Sequence, residues 1–323
     1  MGRTVIRGFC LAAALAAAAP AAAQVKRIGY LAYAGSLRDA RAVTFKETLR
    51  QLGHVEGKSY VLEFRPAEGR SERLSALAAE LVRMKVDVIM SDGGTPAVNA
   101  ARAATRDIPI VFFGVADPVG QGIVASLARP GGNITGVSVQ HPETAPKSLE
   151  LFRQILPQAR RIAVLNHPGN ASLPRVLGEV KAAAAALSLE IDVIDAQAPE
   201  DFEKAFAAVE TSGAAGLMVL REGMFTAQAR RLSALAASRR VPIMGGDAVF
   251  PENGALASYG PNTPDLIRRC AVLVDRILKG AKPADLPVEQ PQKFDLVINA
   301  GTAKALGIAI PAPVLLRADR VIE

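Results

Sequence analysis

The chain has no tryptophan, four tyrosines and two cysteines in 323 residues. So few aromatics leave little that can stack on a ligand. Cys10 lies in an apolar N-terminal stretch that reads as removable, which leaves Cys270 alone and excludes an intramolecular disulfide. Cys270 falls on the apolar stripe of a predicted helix, where a thiol acts as a small buried hydrophobe. The three histidines, His54, His141 and His167, show no metal-ligand spacing. No Gly-x-Gly-x-x-Gly follows the first strand, and no P-loop or Gly-x-Ser-x-Gly elbow is visible. Those absences argue against an enzyme and against a bound cofactor. No compact basic run with interleaved aromatics occurs, which argues against nucleic acid as a partner. Beyond the N-terminus no uninterrupted apolar run is long enough to span a bilayer.

What is present begins with a processing signal over residues 1–23. Arg3 and Arg7 make a basic start, Phe9 to Ala19 an apolar core, and Ala21-Ala22-Ala23 a small-residue site before a cut at Gln24. Pro20 argues against a buried helix there. Cys10 is followed by Leu11-Ala12 and is not placed as a lipid-acceptor cysteine. The chain is therefore expected to be exported, soluble and not lipid-anchored. Losing Arg3 and Arg7 lowers the net charge from +7 to +5, because residues 1–23 hold no acid.

The rest alternates strand and helix. Arg27–Ala32, Ser59–Phe64, Val86–Met90 and Ile110–Phe113 read as strands. Between them, Ala42, Phe45, Leu49 and Leu52 share one helix face, as do Leu74, Leu77, Leu81 and Met84. The second half repeats the scheme, with strands Arg161–Leu165, Glu190–Ile194, Ala215–Leu220 and Val241–Met244. A helix is expected over Thr226–Ser238. Thr95-Pro96 and Thr263-Pro264 each read as a helix cap followed by a first-turn proline. The class is α/β, with parallel sheets covered by helices on both faces. Some 300 residues after the signal suit two lobes better than one core. We place 24–139 plus 258–287 in lobe 1 and 140–257 plus 288–323 in lobe 2, with crossings near Val137–Gln140, Ala257–Gly260 and Val288–Lys293.

In open parallel sheets ligands sit outside the carboxyl ends of strands. The segment from Asp117 to Gly136 follows such an end. It reads as an Asp-Pro turn, a short amphipathic helix and a Gly-Gly-Asn turn. Before it, Gly93 and Gly94 allow close backbone approach to a ligand. The helix from Pro96 offers free N–H groups to a carboxylate, with the Thr95 hydroxyl either helping or capping. Asp117 and Asp247 are candidates for a ligand ammonium, Asp117 equally for a local turn. Asn170, Ala171 and Ser172 can donate to a carboxylate, or Asn170 or Ser172 can cap a helix. Arg221 can fork onto a carboxylate, or pair with Glu222 or another surface acid. Tyr33 can stack on a ligand or pack at the cleft lip, with Ser36 hydrogen bonding beside it. Tyr259 can line the cleft or stiffen a crossing. His167 reads as exposed beside Pro168.

Several stretches resemble one family: Ile28-Gly29-Tyr30, Gly93-Gly94-Thr95-Pro96-Ala97, Asp117-Pro118-Val119, Leu127-Ala128-Arg129-Pro130-Gly131-Gly132-Asn133-Ile134-Thr135-Gly136, and Phe294-Asp295-Leu296-Val297-Ile298-Asn299. The Ala-Arg-Pro-Gly-Gly-Asn-Ile-Thr-Gly block is the specific one. The chain is similar, over residues 26–323, to the ABC-transporter substrate-binding proteins that include tryptophan- and tyrosine-binding lipoproteins. They are a branch of the type I periplasmic binding proteins. The resemblance implies two αβα lobes closing over a small ligand, delivery to an ABC permease in the inner membrane, and no catalysis.

The expectation is a periplasmic, monomeric receptor for a small carboxylate-bearing ligand, either an amino acid, aromatic included, or an aromatic carboxylate. Closure follows from ligand contact with both lobes. The alternatives are a ligand-sensing subunit for a membrane signalling partner, and an enzyme on a doubly wound fold. On the first reading, Thr95→Ala and Asp247→Ala each weaken binding while sparing the stability of the unliganded protein.

Overall fold

The computed structural model describes residues 25–139 and 141–323. The expected signal, with Cys10 and the cut before Gln24, lies outside them, as does Gln140.

The first lobe runs β1 (Lys26–Ala32), α1 (Ala40–Gln51), β2 (Tyr60–Pro66), α2 (Leu74–Arg83), β3 (Val88–Asp92), α3 (Gly94–Ala104), β4 (Ile110–Val115) and β5 (Ile134–Ser138). Its sheet has the order β2-β1-β3-β4-β5, and every pairing is parallel. Both faces are apolar, because side chains alternate across a strand. Leu31, Ile89, Ile110 and Phe112 pack with α2 and α3 residues such as Leu81 and Val98. Tyr30, Met90, Val111 and Phe113 pack with Phe45 and Leu49 of α1.

The second lobe contains α4 (His141–Ile155), β6 (Arg161–Asn166), α5 (Leu173–Ala186), β7 (Glu190–Asp195), α6 (Phe202–Ser212), β8 (Leu217–Val219), α7 (Gly223–Ala227), α8 (Ala229–Ser238), β9 (Ile243–Gly245), α9 (Val249–Glu252) and β10 (Ala257–Pro261). After β10 the chain returns to the first lobe. Helix α10 (Thr263–Leu278) lays Leu266, Cys270, Val274 and Ile277 against α1 and the sheet beneath. It then comes back as β11 (Phe294–Asn299), α11 (Ala300–Leu306), α12 (Ala312–Leu315) and β12 (Arg320–Ile322). The second sheet reads β12-β11-β10-β9-β8-β6-β7, with β10 and β11 antiparallel. Two of the segments between lobes lie side by side: Ser138 N–H donates to Glu289 O at 2.9 Å, and Glu289 N–H to Gly136 O at 3.0 Å.

Four local expectations are corrected. Residues 258–261 are hydrogen-bonded into the second sheet, so the return to the first lobe begins after Pro261. The helix expected within 117–136 is instead a series of turns. Gly122, Gly131 and Gly132 take positive φ there, and Pro118 and Pro130 interrupt any helical ladder. The Thr226–Ser238 helix is two helices that meet at Gln228. Neither threonine is a cap. Asn262 caps α10, its side chain accepting from Asp265 N at 2.8 Å, while Gly93 precedes α3, which already starts at Gly94. Both threonine hydroxyls are thereby released for other contacts.

Candidate functional site

The carboxyl ends of the two sheets face each other across a cleft. Tyr33, Asp92, Gly94, Thr95, Phe113 and Gly114 line it from the first lobe, and Asn170, Ser172, Arg221, Glu222, Gly223 and Asp247 from the second. It holds about 700 Å³ of empty space, part of it open to solvent. Gly94 and Gly114 bring two strand ends together. Both have positive φ, +63° and +89°, and a Cβ on Gly94 would lie 3.2 Å from Gly114 O. Any other residue would be strained there.

Each wall carries an arginine–aspartate pair. In the first lobe Arg41 Nη1 lies 2.6 Å from Asp92 Oδ1, and Asp92 Oδ2 accepts the Tyr30 hydroxyl at 2.8 Å. Asp92 raises the Arg41 pKa, while burial works against that rise. Burial first, then Asp92, pushes the Tyr30 phenol well up. In the second lobe Arg221 Nη1 lies 2.8 Å from Asp247 Oδ2. Arg221 Nη1 also donates to Gly246 O, and its Nη2 to Thr263 Oγ1, each at 3.2 Å. The Thr263 hydroxyl donates to Asp247 Oδ2 at 3.0 Å, and Val249 N–H donates to the other Asp247 oxygen at 3.1 Å. Here burial dominates and lowers the Arg221 pKa, with Asp247 opposing. The two guanidinium carbons stand 5.9 and 6.0 Å from the centroid of the one Phe113 ring, a cation–π distance.

Glu222 is also committed. It accepts from Met224 N at 2.6 Å and Phe225 N at 3.2 Å, which caps α7. Its other oxygen lies 3.4 Å from His167 Nδ1. Glu222 holds the His167 pKa above the ordinary imidazole value. His167, expected to be exposed, is largely covered, at 20 % side-chain exposure, and its ring packs near Phe225.

Of the residues singled out in the sequence, the cleft brings together Tyr33, Gly94, Thr95, Asn170, Ser172, Arg221 and Asp247. Tyr33 is buried and donates its hydroxyl to Gly69 O at 2.8 Å. Thr95 Oγ1 donates to Gln121 Oε1 at 2.8 Å. Asn170 Oδ1 accepts from Ser172 N and Oγ at 3.1 and 2.7 Å. Four residues are not on the cleft lining. Ser36 is exposed and bonded to Asp39. Asp117 accepts from Gly120 N at 2.8 Å within its own turn and meets Arg175 of the opposite lobe at 3.4 Å. Ala171 is exposed. Tyr259 stacks on Phe294, with centroids 6.2 Å apart, because β10 and β11 are neighbours. Arg41, Asp92, Phe113 and Glu222 were missed. Asp92 stands beside the quoted Gly93-Gly94, but Arg41 looks like any basic residue on an amphipathic helix.

Among the described residues no group of three or more His, Cys, Asp or Glu side chains could hold a metal ion. Cys270 is fully buried, and burial pushes its thiol well up. No described helix is long and apolar enough to cross a membrane.

The two-lobe fold agrees with known proteins. Residues 34–322 match the family model described as ABC transporter substrate binding protein, and the chain belongs to that family. Its fold is that of the type I periplasmic binding proteins. A tyrosine-binding protein of Clostridioides difficile is 27 % identical over 262 residues, 81 % of this chain and 75 % of the relative. A Streptococcus pneumonia ABC domain solved with L-Trp is 27 % identical, with a TM-score of 0.84 over 92 % of this chain and all of that one. The ligand-free, open structure of a Clostridium difficile substrate-binding protein with adhesive properties is 25 % identical. Its TM-score is 0.67, over 92 % of this chain and 99 % of that one. With coverage and identity so close, the lower score for the open structure fits lobes that here are drawn together. Contacts across the cleft agree: Asp117 meets Arg175, and a Cβ on Gly223 would lie 3.7 Å from the Tyr33 ring.

Proposed function

We propose that this chain is the periplasmic receptor of an ABC importer, that it binds an amino acid between its lobes, and that it delivers the ligand to an inner-membrane permease. It acts as a monomer, free of its signal segment and without a lipid anchor. It performs no chemistry on the ligand. The observation that carries the reading is a cleft with both signs of charge on both walls. Arg41 with Asp92 and Arg221 with Asp247 supply them, so each end of a zwitterion can meet a partner of opposite sign. The carboxylate rests at the start of α3, where Thr95 and the backbone of the first turn face the cleft and the helix dipole favours an anion. The ammonium turns toward the carboxylate side of the opposite pair. Tyrosine and tryptophan, which the relatives' names record, are the first ligands to try.

The test is a thermal-shift screen of ligand-stripped protein against amino acids, aromatic acids, dicarboxylates and sugars. A ligand at 100 times its Kd adds roughly 2.7 kcal/mol of stability. A shift confined to amino acids is expected. A shift with sugars alone would overturn the carboxylate reading, and one with aromatic acids lacking an amine would remove the role of the acids.

A further inference from the structure

The ring of Phe113 carries two guanidinium groups, one from each lobe. Arg41 of the first lobe stands over it with its guanidinium carbon 5.9 Å from the centroid, and Arg221 of the second lobe at 6.0 Å. Local structure explains the first. Phe113 is the strand neighbour of Asp92 in the β3–β4 pairing, so the carboxylate that holds Arg41 also holds it beside the ring. Nothing local explains the second. Arg221 follows β8, in the other sheet, and reaches the ring only when the lobes are together.

Two like charges at one ring repel, and the aspartates around them offset that. Asp92 is the main cause of the raised Arg41 pKa, and Asp247 of the opposite lobe adds to it. Burial first lowers the Arg221 pKa and Arg41 lowers it further, while Asp247 and, more weakly, Asp92 raise it. The four charges therefore act across the cleft as well as within each wall. A second charged contact between the lobes, Asp117 with Arg175, lies at 31 % and 61 % side-chain exposure, and an exposed pair contributes little. Phe113 is only 3 % exposed, and a cation over an aromatic face is held more strongly where water is excluded.

We propose that Phe113 is a positioning residue for lobe closure: its ring receives Arg221 of the second lobe and holds it beside Arg41 across the ligand cleft. The inference rests on the reading of the chain as a receptor that closes over its ligand, and not on which ligand it takes. The contact is made between protein groups, so it favours the closed form before any ligand adds contacts of its own. A ligand then shifts an equilibrium in which the closed form is already populated. Weakening the ring contact lowers that population and with it the apparent affinity, because only the closed fraction holds a ligand from both sides.

Spin labels at Arg70→Cys and Glu200→Cys report closure. Both positions are exposed. They follow the carboxyl ends of β2 and β7, on facing lips, and the buried Cys270 takes no label. Pulsed dipolar distances are measured on ligand-stripped protein with the natural Phe113, with a ring-trifluorinated phenylalanine in its place, and with Phe113→Leu. Fluorine withdraws electron density from the ring face and nearly preserves its shape, whereas leucine keeps apolar bulk without a ring. The same fluorinated residue in place of Phe112, which packs on the other face of the sheet, is the control. Both changes at Phe113 are expected to lower the closed-to-open ratio of the unliganded protein about fivefold, and the control to leave it unchanged. Phe113 lines the cleft, so affinity alone does not separate ligand contact from closure, and the unliganded ratio does. Melting shows which variants fold, and the fluorinated ring decides if Phe113→Leu does not. A natural protein wholly open without ligand, a ratio unmoved by fluorination, or an equal shift from Phe112 overturns the role of Phe113. L-tryptophan and L-tyrosine are then added to the natural protein. If neither raises the closed population, the amino-acid reading falls while the result for Phe113 stands.

Discussion

The two walls of the cleft use the same pair of residue types in different ways. Arg41 in the first lobe keeps 33 % of its side chain exposed, while its partner Asp92 is anchored from below by Tyr30. Arg221 in the second lobe is 10 % exposed and is enclosed by Asp247, Gly246 and Thr263. Asp92 draws the Arg41 pKa up, whereas burial drives that of Arg221 down. One wall presents a guanidinium whose partner is fixed elsewhere, which suits ligand contact. The other holds a network tied into its own lobe, so its carboxylate serves the construction of the lobe as well as the proposed ammonium contact.

The largest expected effect tests that difference directly. Asp247→Ala leaves the Arg221 charge buried without its carboxylate. Breaking a buried pair costs about 3–5 kcal/mol, so urea denaturation of the unliganded variant is expected to show a loss of that order. This reverses the expectation from sequence that Asp247→Ala spares the unliganded fold, because Asp247 has a structural partner. Arg41→Gln leaves the buried Asp92 with the Tyr30 hydroxyl and a glutamine amide that can still donate to it, so it is expected to cost less stability than Asp247→Ala, yet to weaken ligand binding at least as much. Equal losses of stability in the two variants would erase the distinction between the walls.

Next come the backbone and hydroxyl of the first wall. Gly94→Ala forces a left-handed φ on a residue with a Cβ and presses it toward Gly114 O. A loss of about 1–2 kcal/mol is expected, with a parallel loss of affinity because that turn faces the ligand. Thr95→Val removes the bond to Gln121 and is expected to cost about 1 kcal/mol or less. If Thr95 serves the ligand, the affinity falls by more than that loss explains. A fall in stability with unchanged titration curves would make Thr95 purely structural.

How much of this was legible in the sequence depends on whether the information is local. The stripe Leu266, Cys270, Val274 and Ile277 foretold a buried helix, and the alternating strands and helices foretold parallel sheets. Periodicity does not give strand order, however. Arg221 and Asp247 meet because β8 and β9 are neighbours, which brings their carboxyl ends side by side. Both residues were singled out, but not as each other's partner. Arg41 was invisible because a guanidinium on a helix face usually points to water. Asp117 carried the family motif yet serves its own turn, since the nearest N–H, that of Gly120, is three residues away. The Thr-Pro pairs misled for a similar reason. Gly93 and Asn262 already occupy the positions before the helices, and each threonine hydroxyl reaches across to another segment.

The smallest effect concerns pH and again separates the walls. On the second wall, Glu222 raises the His167 pKa in the folded protein above its unfolded value of about 6.5. A raised pKa means that protonation favours the fold. The stabilisation is complete below about pH 6.5 and is lost as pH rises through the folded pKa. Urea midpoints of the unliganded protein are therefore expected to drift down on going above neutrality. His167→Gln should flatten that drift. A drift that persists in His167→Gln would place the responsible proton elsewhere. It would also mean that the Glu222 carboxylate capping α7 is satisfied by backbone N–H groups alone.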